Sequence, residues 1–362
     1  MDTAGDQAIS FNADGVCAYC TEALHRMKHE YFPNEDGAKK LEEMMQRIKL
    51  MGQGRPYDCL VGVSGGLDSS YLIYLGRQHG LRMLAVHVDD GYDTELAAAN
   101  LDKLCRAAEV EMVVVKPDPV QYNDLVLAFL KAGVPNLAVP QDNILMAGLD
   151  DLARRRGITA LLKGHNFSLE CILQRGQTIN ACDTVHIAAL NRLFGREGLD
   201  RLAFTTMFQK YIGRRYFSPL KSFYPLNYMD YNFQRACEAL AAFADFKYYG
   251  GKHHESVLTR FMQCHYLPVK FNFDKRKSHL SSLVISGQIS RDEALRRLEA
   301  PLYTPELREA DFGLLSRSLG LNRAEFEDIL NRPPRRHEDY PVSRLHALAP
   351  LARRFRQYLG GG

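Results

Sequence analysis

The residues Ser64-Gly65-Gly66-Leu67-Asp68-Ser69 bring together the groups needed to hold a phosphate. Glycines without a Cβ let the backbone come close to an anion, and free N–H groups at a helix start point toward it. The hydroxyls of Ser64 and Ser69 add donors, and the Asp68 carboxylate is a hard oxygen ligand of the kind Mg²⁺ takes. No GxxxxGK[ST] occurs anywhere, so a Walker A loop with its phosphate-binding lysine is excluded. Two later stretches also hold chemistry. In Gly250-Gly251-Lys252-His253-His254-Glu255 a cation and a base follow a di-glycine, a combination that suits a phosphate or a sugar. The basic run around Lys275 and Arg276 can meet a diphosphate by charge. Taken alone, they read as a solvated turn and a charged helix start. Near the start, Cys17 and Cys20 have CxxC spacing, and Asn12, Asp14 and Gly15 shape a turn before them. Two thiolates are half of a structural zinc site, which needs four ligands. No second CxxC follows, and His25 and His29 equally suit an exposed helix face, so the pair reads as a zinc half-site or a bare structural knuckle.

These residues need a scaffold, and the apolar pattern supplies one. Leu60, Val61 and Val63 form a buried strand ahead of the glycine turn, and YLIYLG after it is helical. An amphipathic helix over 36–53 delivers the chain to that strand. LRMLAVHV is a second strand, ending in His87, Asp89 and Asp90, and EMVVV is a third. Helices are predicted at 94–108 and near 119–131. ITALLKG is a fourth strand, with His165, Asn166 and Glu170 just beyond it. Such alternation predicts an α/β fold built on a doubly wound parallel sheet. Ligands then bind outside the carboxyl ends of the strands, which gathers the SGGLDS, HVDDGYD and GHN loops. His165 and Asn166 read either as nucleotide contacts or as the cap of the next helix. From about residue 180 the alternation stops and a mainly helical region follows, with aromatics concentrated between 204 and 249. Ser290 with Glu293 and Asn322 with Glu325 have capping-box spacing. The expected organisation is an N-terminal knuckle and helix (1–53), a nucleotide-binding α/β unit (54–180) and a helical acceptor or partner region (181–362).

Composition narrows the function classes. With 46% hydrophobic and 25% charged residues among 362, the chain is globular. A net charge of +3 is too small to argue for nucleic acid by itself, and no nucleic-acid partner is expected. The basic clusters at 332–337 and 352–356 read as solvated helix ends or a linker. The polar N-terminus does not read as a signal peptide, and no apolar run is long enough to span a membrane. A cytoplasmic protein with eight reduced cysteines is expected.

The SGGLDS turn resembles the PP-loop of the ATP pyrophosphatases, which hold the pyrophosphate while AMP is transferred to a substrate oxygen. The combination FNADGVCAYC, VGVSGGLDSSY, HVDDGYD, KGHNFSLE, YYGGKHHES and LPVKFNFDKRKSHLSSLVISGQISRDEA, in this order, resembles the N-acetyl sugar amidotransferases of bacterial surface-sugar biosynthesis, the WbpG- and PseA-like enzymes. The likeness runs over roughly residues 1–305. It implies ATP with Mg²⁺, and a nucleotide-linked acetamido sugar converted into an acetamidino sugar with release of AMP and pyrophosphate. Residue by residue, it implies Ser64, Gly65, Gly66, Asp68 and Ser69 for the pyrophosphate loop and Asp89, His165 and Glu170 near the nucleotide. Lys252, His253, Glu255, Lys275 and Arg276 fall in the two blocks implied for acceptor binding or catalysis. The chain departs from the family pattern at Asp90 and Tyr92, where relatives often carry Asn and Trp. Relatives also usually have a further CxxC ahead of the position of Met1, which leaves zinc open. None of Cys59, Cys105, Cys171, Cys182, Cys237 or Cys264 has glycines on both sides, and residue 2 is Asp2, so neither glutaminase nucleophile pattern is present. The resemblance therefore implies ammonia from a separate glutaminase similar to that of imidazole glycerol phosphate synthase. The competing readings are a PP-loop tRNA thiolase or lysidine-type synthetase, against which the small net charge and the position of the CxxC speak, and a non-catalytic scaffold for a glutaminase.

Overall fold

The computed structural model describes residues 3, 6, 9–213 and 220–345. The strand before the glycine turn is β1 (Cys59–Gly62). It pairs in parallel with β2 (Met83–Val88) on one side and with β4 (Ala160–Leu162) on the other. β3 (Glu111–Val115) lies outside β2, and β5 (Lys221–Phe223) lies outside β4. The resulting order, β3-β2-β1-β4-β5, is the parallel sheet that the alternation predicts. β5 is the exception. It comes after the point where the alternation stops, and three residues are too few to show a period.

Successive strand residues face opposite layers. Val61, Met83, Ala85 and Leu162 join a core with α2 (Glu35–Met51), α3 (Leu67–Gln78) and α4 (Glu95–Ala108). Leu60, Leu84, Val86 and Leu161 join another with α6 (Val139–Arg156), a helix that the periodicity did not reveal. The chain runs outward from β1 to β3, then returns past β1 to form β4. That reversal opens a crevice at the carboxyl ends of β1 and β4, where an open α/β sheet binds its ligand.

A third core gathers α5 (Pro119–Ala132), α8 (Thr184–Phe194) and the helices Pro305–Leu319 and Arg323–Asn331. It also buries Val257, Leu258 and Phe261, so the GGKHHES loop is anchored to it directly. Ser290 and Asn322 cap their helices by accepting from Glu293 N and Glu325 N, and the second is a full capping box. Arg332 pairs with Asp328 and Arg336 with Asp339, so the basic cluster at 332–337 sits at helix ends. The cluster at 352–356 lies outside the described residues. Among the described residues, no helix is long and apolar enough to cross a membrane.

Candidate active site

The turn between β1 and α3 demands its glycines. Gly65 has φ +76°, and a Cβ there would meet the Ala97 carbonyl oxygen at 2.7 Å. At Gly66 a Cβ would fall 2.5 Å from Glu255 Oε1. The serines stitch the turn together. Ser69 Oγ accepts from Ser64 N at 3.3 Å and donates to Gly66 O at 3.1 Å. Ser64 Oγ accepts from Gly66 N at 3.3 Å and donates to Glu255 Oε1 at 3.0 Å. At the start of α3, Leu67 N donates to Tyr249 Oη at 2.8 Å.

Charged groups from three separate segments meet over this turn. Lys252 Nζ lies 2.8 Å from Asp68 Oδ2 and 3.0 Å from Glu170 Oε1. Tyr231 Oη donates to Asp68 Oδ1 at 2.7 Å. His165 Nδ1 is 2.5 Å from Glu170 Oε2, and Glu170 ends α7 (Phe167–Glu170), which Asn166 caps by accepting from Leu169 N. His253 stands between Glu170, 3.7 Å away, and Glu255, 3.8 Å away. Two backbone bonds fix this loop to the segment after β2: Thr94 N donates to Glu255 O, and Val257 N donates to Tyr92 O.

Burial opposes every charge here, and the partners overcome it. Desolvation would lower the Lys252 ammonium, but Asp68 and Glu170 raise its pKa above the usual value. Desolvation would raise Glu170, but Lys252 and His165 hold it well below the usual carboxylate range. Glu255 follows the same pattern, with His253 and Ser64 outweighing burial and lowering it. His279, pushed well down by burial and by Lys252 and Lys275, is a neutral imidazole. The cluster thus holds Glu170 and Glu255 in their carboxylate form, with Asp68 and Glu170 meeting on the Lys252 ammonium.

The crevice above is a cavity of about 790 Å³. Ser64, Gly66, Asp68, Ser69, His165, Glu170, Lys252, His253, Glu255 and Arg276 all line it, and Gly65 lies within the turn. Leu145, Leu149, Leu161, Phe233 and Leu283 give it an apolar wall suited to a flat base. Three expected residues are placed differently. Asp89 pairs with Lys116 at 2.8 Å and lines a separate hollow. Lys275 opens into a neighbouring cavity. Arg276 lines the main cavity, but its guanidinium holds Asp274 at 2.8 Å and the Ala300 carbonyl at 2.7 Å, which secures the end of the helix Arg291–Glu299. Tyr231 was missed, since it belongs to an aromatic-rich stretch in which no spacing marks it out, and Tyr249 was legible only as part of the YYGGKHHES block. Asp142, on the first turn of α6, also lines both cavities.

The cysteine knuckle is built as its turn residues suggest. Asn12 Oδ1 accepts from Asp14 N and Val16 N, and Cys17 Sγ caps α1 (Ala18–Glu30) by accepting from Cys20 N. The two sulfurs are 3.3 Å apart. Among the described residues, no group of three or more His, Cys, Asp or Glu side chains is arranged to hold a metal ion.

A central parallel strand that runs into SGGLDS and a helix start, beside the carboxyl groups of Asp68, Glu170 and Glu255, defines an α/β protein with its crevice at the carboxyl ends of β1 and β4. Residues 255–353 match the family model described as LPS biosynthesis protein WbpG-like, C-terminal domain. Curated relatives include the tRNA-specific 2-thiouridylases MnmA of Albidiferax ferrireducens and Desulfosudis oleivorans. The first is 25% identical over 34% of this chain and 35% of its own length. The second is 31% identical over 28% of this chain and 30% of its own length. The chain thus spans about a third of the length of the curated relatives it matches. Among solved structures, the NMN synthetase of Francisella tularensis is similar over 78% of this chain and 95% of its own, at 12% identity and a TM-score of 0.38.

Proposed function

We propose that this protein is an ATP-dependent amidotransferase acting on the acetamido group of a nucleotide-linked sugar. An amide oxygen is a poor leaving group, and transfer of AMP onto it creates a good one. Ammonia then takes its place, giving an acetamidino sugar, AMP and pyrophosphate. The observation that carries this reading is the bridge from Lys252 to Asp68 and Glu170. It joins the loop that leads into the WbpG-like match to the glycine turn, so Lys252, His253, Glu255 and Arg276 line the same cavity as that turn.

In this reading Ser64, Ser69 and the backbone N–H groups at the start of α3 cradle the pyrophosphate, and Lys252 supplies a cation for charge that develops during transfer. Asp68 and Glu170 converge on a single cation and would hold Mg²⁺ when Mg-ATP enters, where the ion would neutralise phosphate charge. Ammonia comes from a partner glutaminase. The thiolase relatives suggest tRNA modification as a second reading, but no cysteine is among the residues that line the cavity.

The test is to incubate the purified protein with Mg-ATP, ammonium salt and a panel of acetamido nucleotide sugars. Pyrophosphate release that depends on one sugar, together with a product in which NH replaces O, is the expected result. Release that requires tRNA instead would favour the thiolase reading.

A further inference from the structure

The helix Arg276–Ile285 turns one stripe of side chains toward the main cavity. Arg276, His279, Leu280 and Leu283 fall at i, i+3, i+4 and i+7, the spacing of a single helix face, and all four line that space. The two leucines are apolar wall, and Arg276 is spent on Asp274 and the Ala300 carbonyl. His279 is left as the polar group of the stripe. Ser286 Oγ donates to Ser168 O at 2.9 Å, which pins this helix to α7 and fixes the imidazole beside the charged cluster. Its ring centroid lies 6.0 Å from that of His253.

Other basic groups of the cavity are engaged. Lys252 holds Asp68 and Glu170, His165 holds Glu170, His253 stands between Glu170 and Glu255, and Arg297 pairs with Glu293 at 2.7 Å. Among the described residues, neither ring nitrogen of His279 has a hydrogen-bond or ion-pair partner. A half-buried imidazole that opens on a cavity with both nitrogens unmatched is placed to meet a reacting group. Lys252 and His253 bear on it from the GGKHHES loop, Lys275 from just ahead of its own helix, and Glu170 from α7. Burial and the two lysines keep it unprotonated. Phosphate groups seated on the glycine turn bring the opposite charge, which restores basicity once a nucleotide is present.

The function proposed above needs a base that the residues assigned so far do not supply. When ammonia attacks the adenylated acetamido carbon, a C–N bond forms and the C=N electron pair shifts to the sugar-bound nitrogen. The new nitrogen then carries one proton too many. Until that proton leaves, ammonia is the easier group to expel and the intermediate collapses backward. Resting on that function, we propose that His279 is the catalytic base of the ammonia step, taking the proton from the new nitrogen. The C–O bond to AMP then breaks, its electron pair leaves with AMP, and the nitrogen lone pair closes the C=N bond of the amidinium product. His279 ends the step as imidazolium and returns the proton to solvent.

Two readouts separate this role from binding. Sugar-dependent exchange of pyrophosphate into ATP reports adenylation, which precedes ammonia, and the mass of the amidine reports the whole reaction. Both use the panel sugar that turns over in wild type. His279→Gln keeps much of the volume and the hydrogen-bonding capacity but takes no proton. It is expected to lower amidine formation about a hundredfold or more while exchange stays within about twofold of wild type. In wild type, amidine formation at a fixed concentration of free ammonia should fall on the acid side as His279 protonates, a limb that exchange lacks and the variant loses. Thermal melting checks folding, His279→Asn stands in if the first variant does not fold, and the two wild-type profiles carry the test if neither does. The inference is overturned if His279→Gln forms amidine at the wild-type rate, if exchange falls as far as amidine formation, or if the wild-type profiles share one acid limb. Wild-type exchange that needs tRNA rather than a sugar removes the proposed function and this base together.

Discussion

Lys252 and Asp68, 184 residues apart in the chain, meet at 2.8 Å, and the same ammonium reaches Glu170 at 3.0 Å. The side chains of all three are less than a fifth exposed, so the contact is weakly screened. Removing one partner of such a buried set strands the others and costs about 3 kcal/mol. Lys252→Met should therefore lower the urea midpoint markedly and reduce pyrophosphate release at least a hundredfold. The acid limb should change as well. Glu170 is held well below its unfolded value of about 4.3, so its stabilisation is complete above that pH and is lost as pH falls toward the folded value. Without Lys252 much of that limb disappears. Denaturation curves between pH 3 and 7 that differ by a constant offset would contradict this account.

Gly66 tests the link between the glycine turn and the loop that carries Glu255. An added Cβ would lie 2.5 Å from Glu255 Oε1 and 3.0 Å from Ser64 Oγ, the two atoms that hydrogen-bond to each other. Gly66→Ala should displace Glu255 and cut turnover about tenfold or more, with a stability loss of about 1 kcal/mol. Gly65→Ala adds backbone strain at φ +76° and a clash with the Ala97 carbonyl, so it should cost about 1–3 kcal/mol. Equal turnover in wild type and Gly66→Ala would show that Glu255 can move aside freely.

Much of the sheet was legible because β1, β2 and β4 are nearly wholly buried and therefore continuously apolar. The glycine turn was legible because positive φ at Gly65 and close approach at Gly66 both restrict residue type. Asp89 follows a strand at the carboxyl edge, where its position was legible, but its side-chain pairing with Lys116 was not. Lys252 could be singled out by its block, but its partners could not, since a contact across 184 residues leaves no local pattern. The roles of Tyr231 and Tyr249 are invisible for a related reason. They rest on hydroxyls that reach Asp68 and Leu67, while in the sequence these are two among eighteen tyrosines.

The cysteine knuckle separates a capping role from a metal role by a simple substitution. Cys17 Sγ accepts from Cys20 N at the start of α1. Serine retains an acceptor at a helix N-cap, and alanine does not. If capping is the whole role, Cys17→Ser should be neutral within about 0.5 kcal/mol, and Cys17→Ala should cost about 1 kcal/mol. A zinc site would behave differently, because either substitution removes a ligand. Stoichiometric zinc by elemental analysis, lost together with several kcal/mol in Cys17→Ser, would overturn the capping account.

His186 and His337 form a buried pair, with Nε2 of the first 3.0 Å from Nδ1 of the second, and they join α8 to the segment after the last helix. Burial and the neighbouring His186 lower the His337 pKa to about 3, against about 6.5 for an unfolded histidine. Above pH 6.5 neither state binds this proton. Between 6.5 and 3 the unfolded chain takes it up and the folded chain does not, so stability falls with pH by about 1.4 kcal/mol per unit. Half-buried His254, lowered to about 4 chiefly by desolvation, adds to the slope over most of the same range. His337→Asn can keep a hydrogen bond to His186 and has nothing to titrate. Its stability should fall less steeply than wild type from pH 6.5 to 4, while the slope due to His254 remains. Parallel curves for the two proteins would mean that His337 protonates as readily in the fold as out of it.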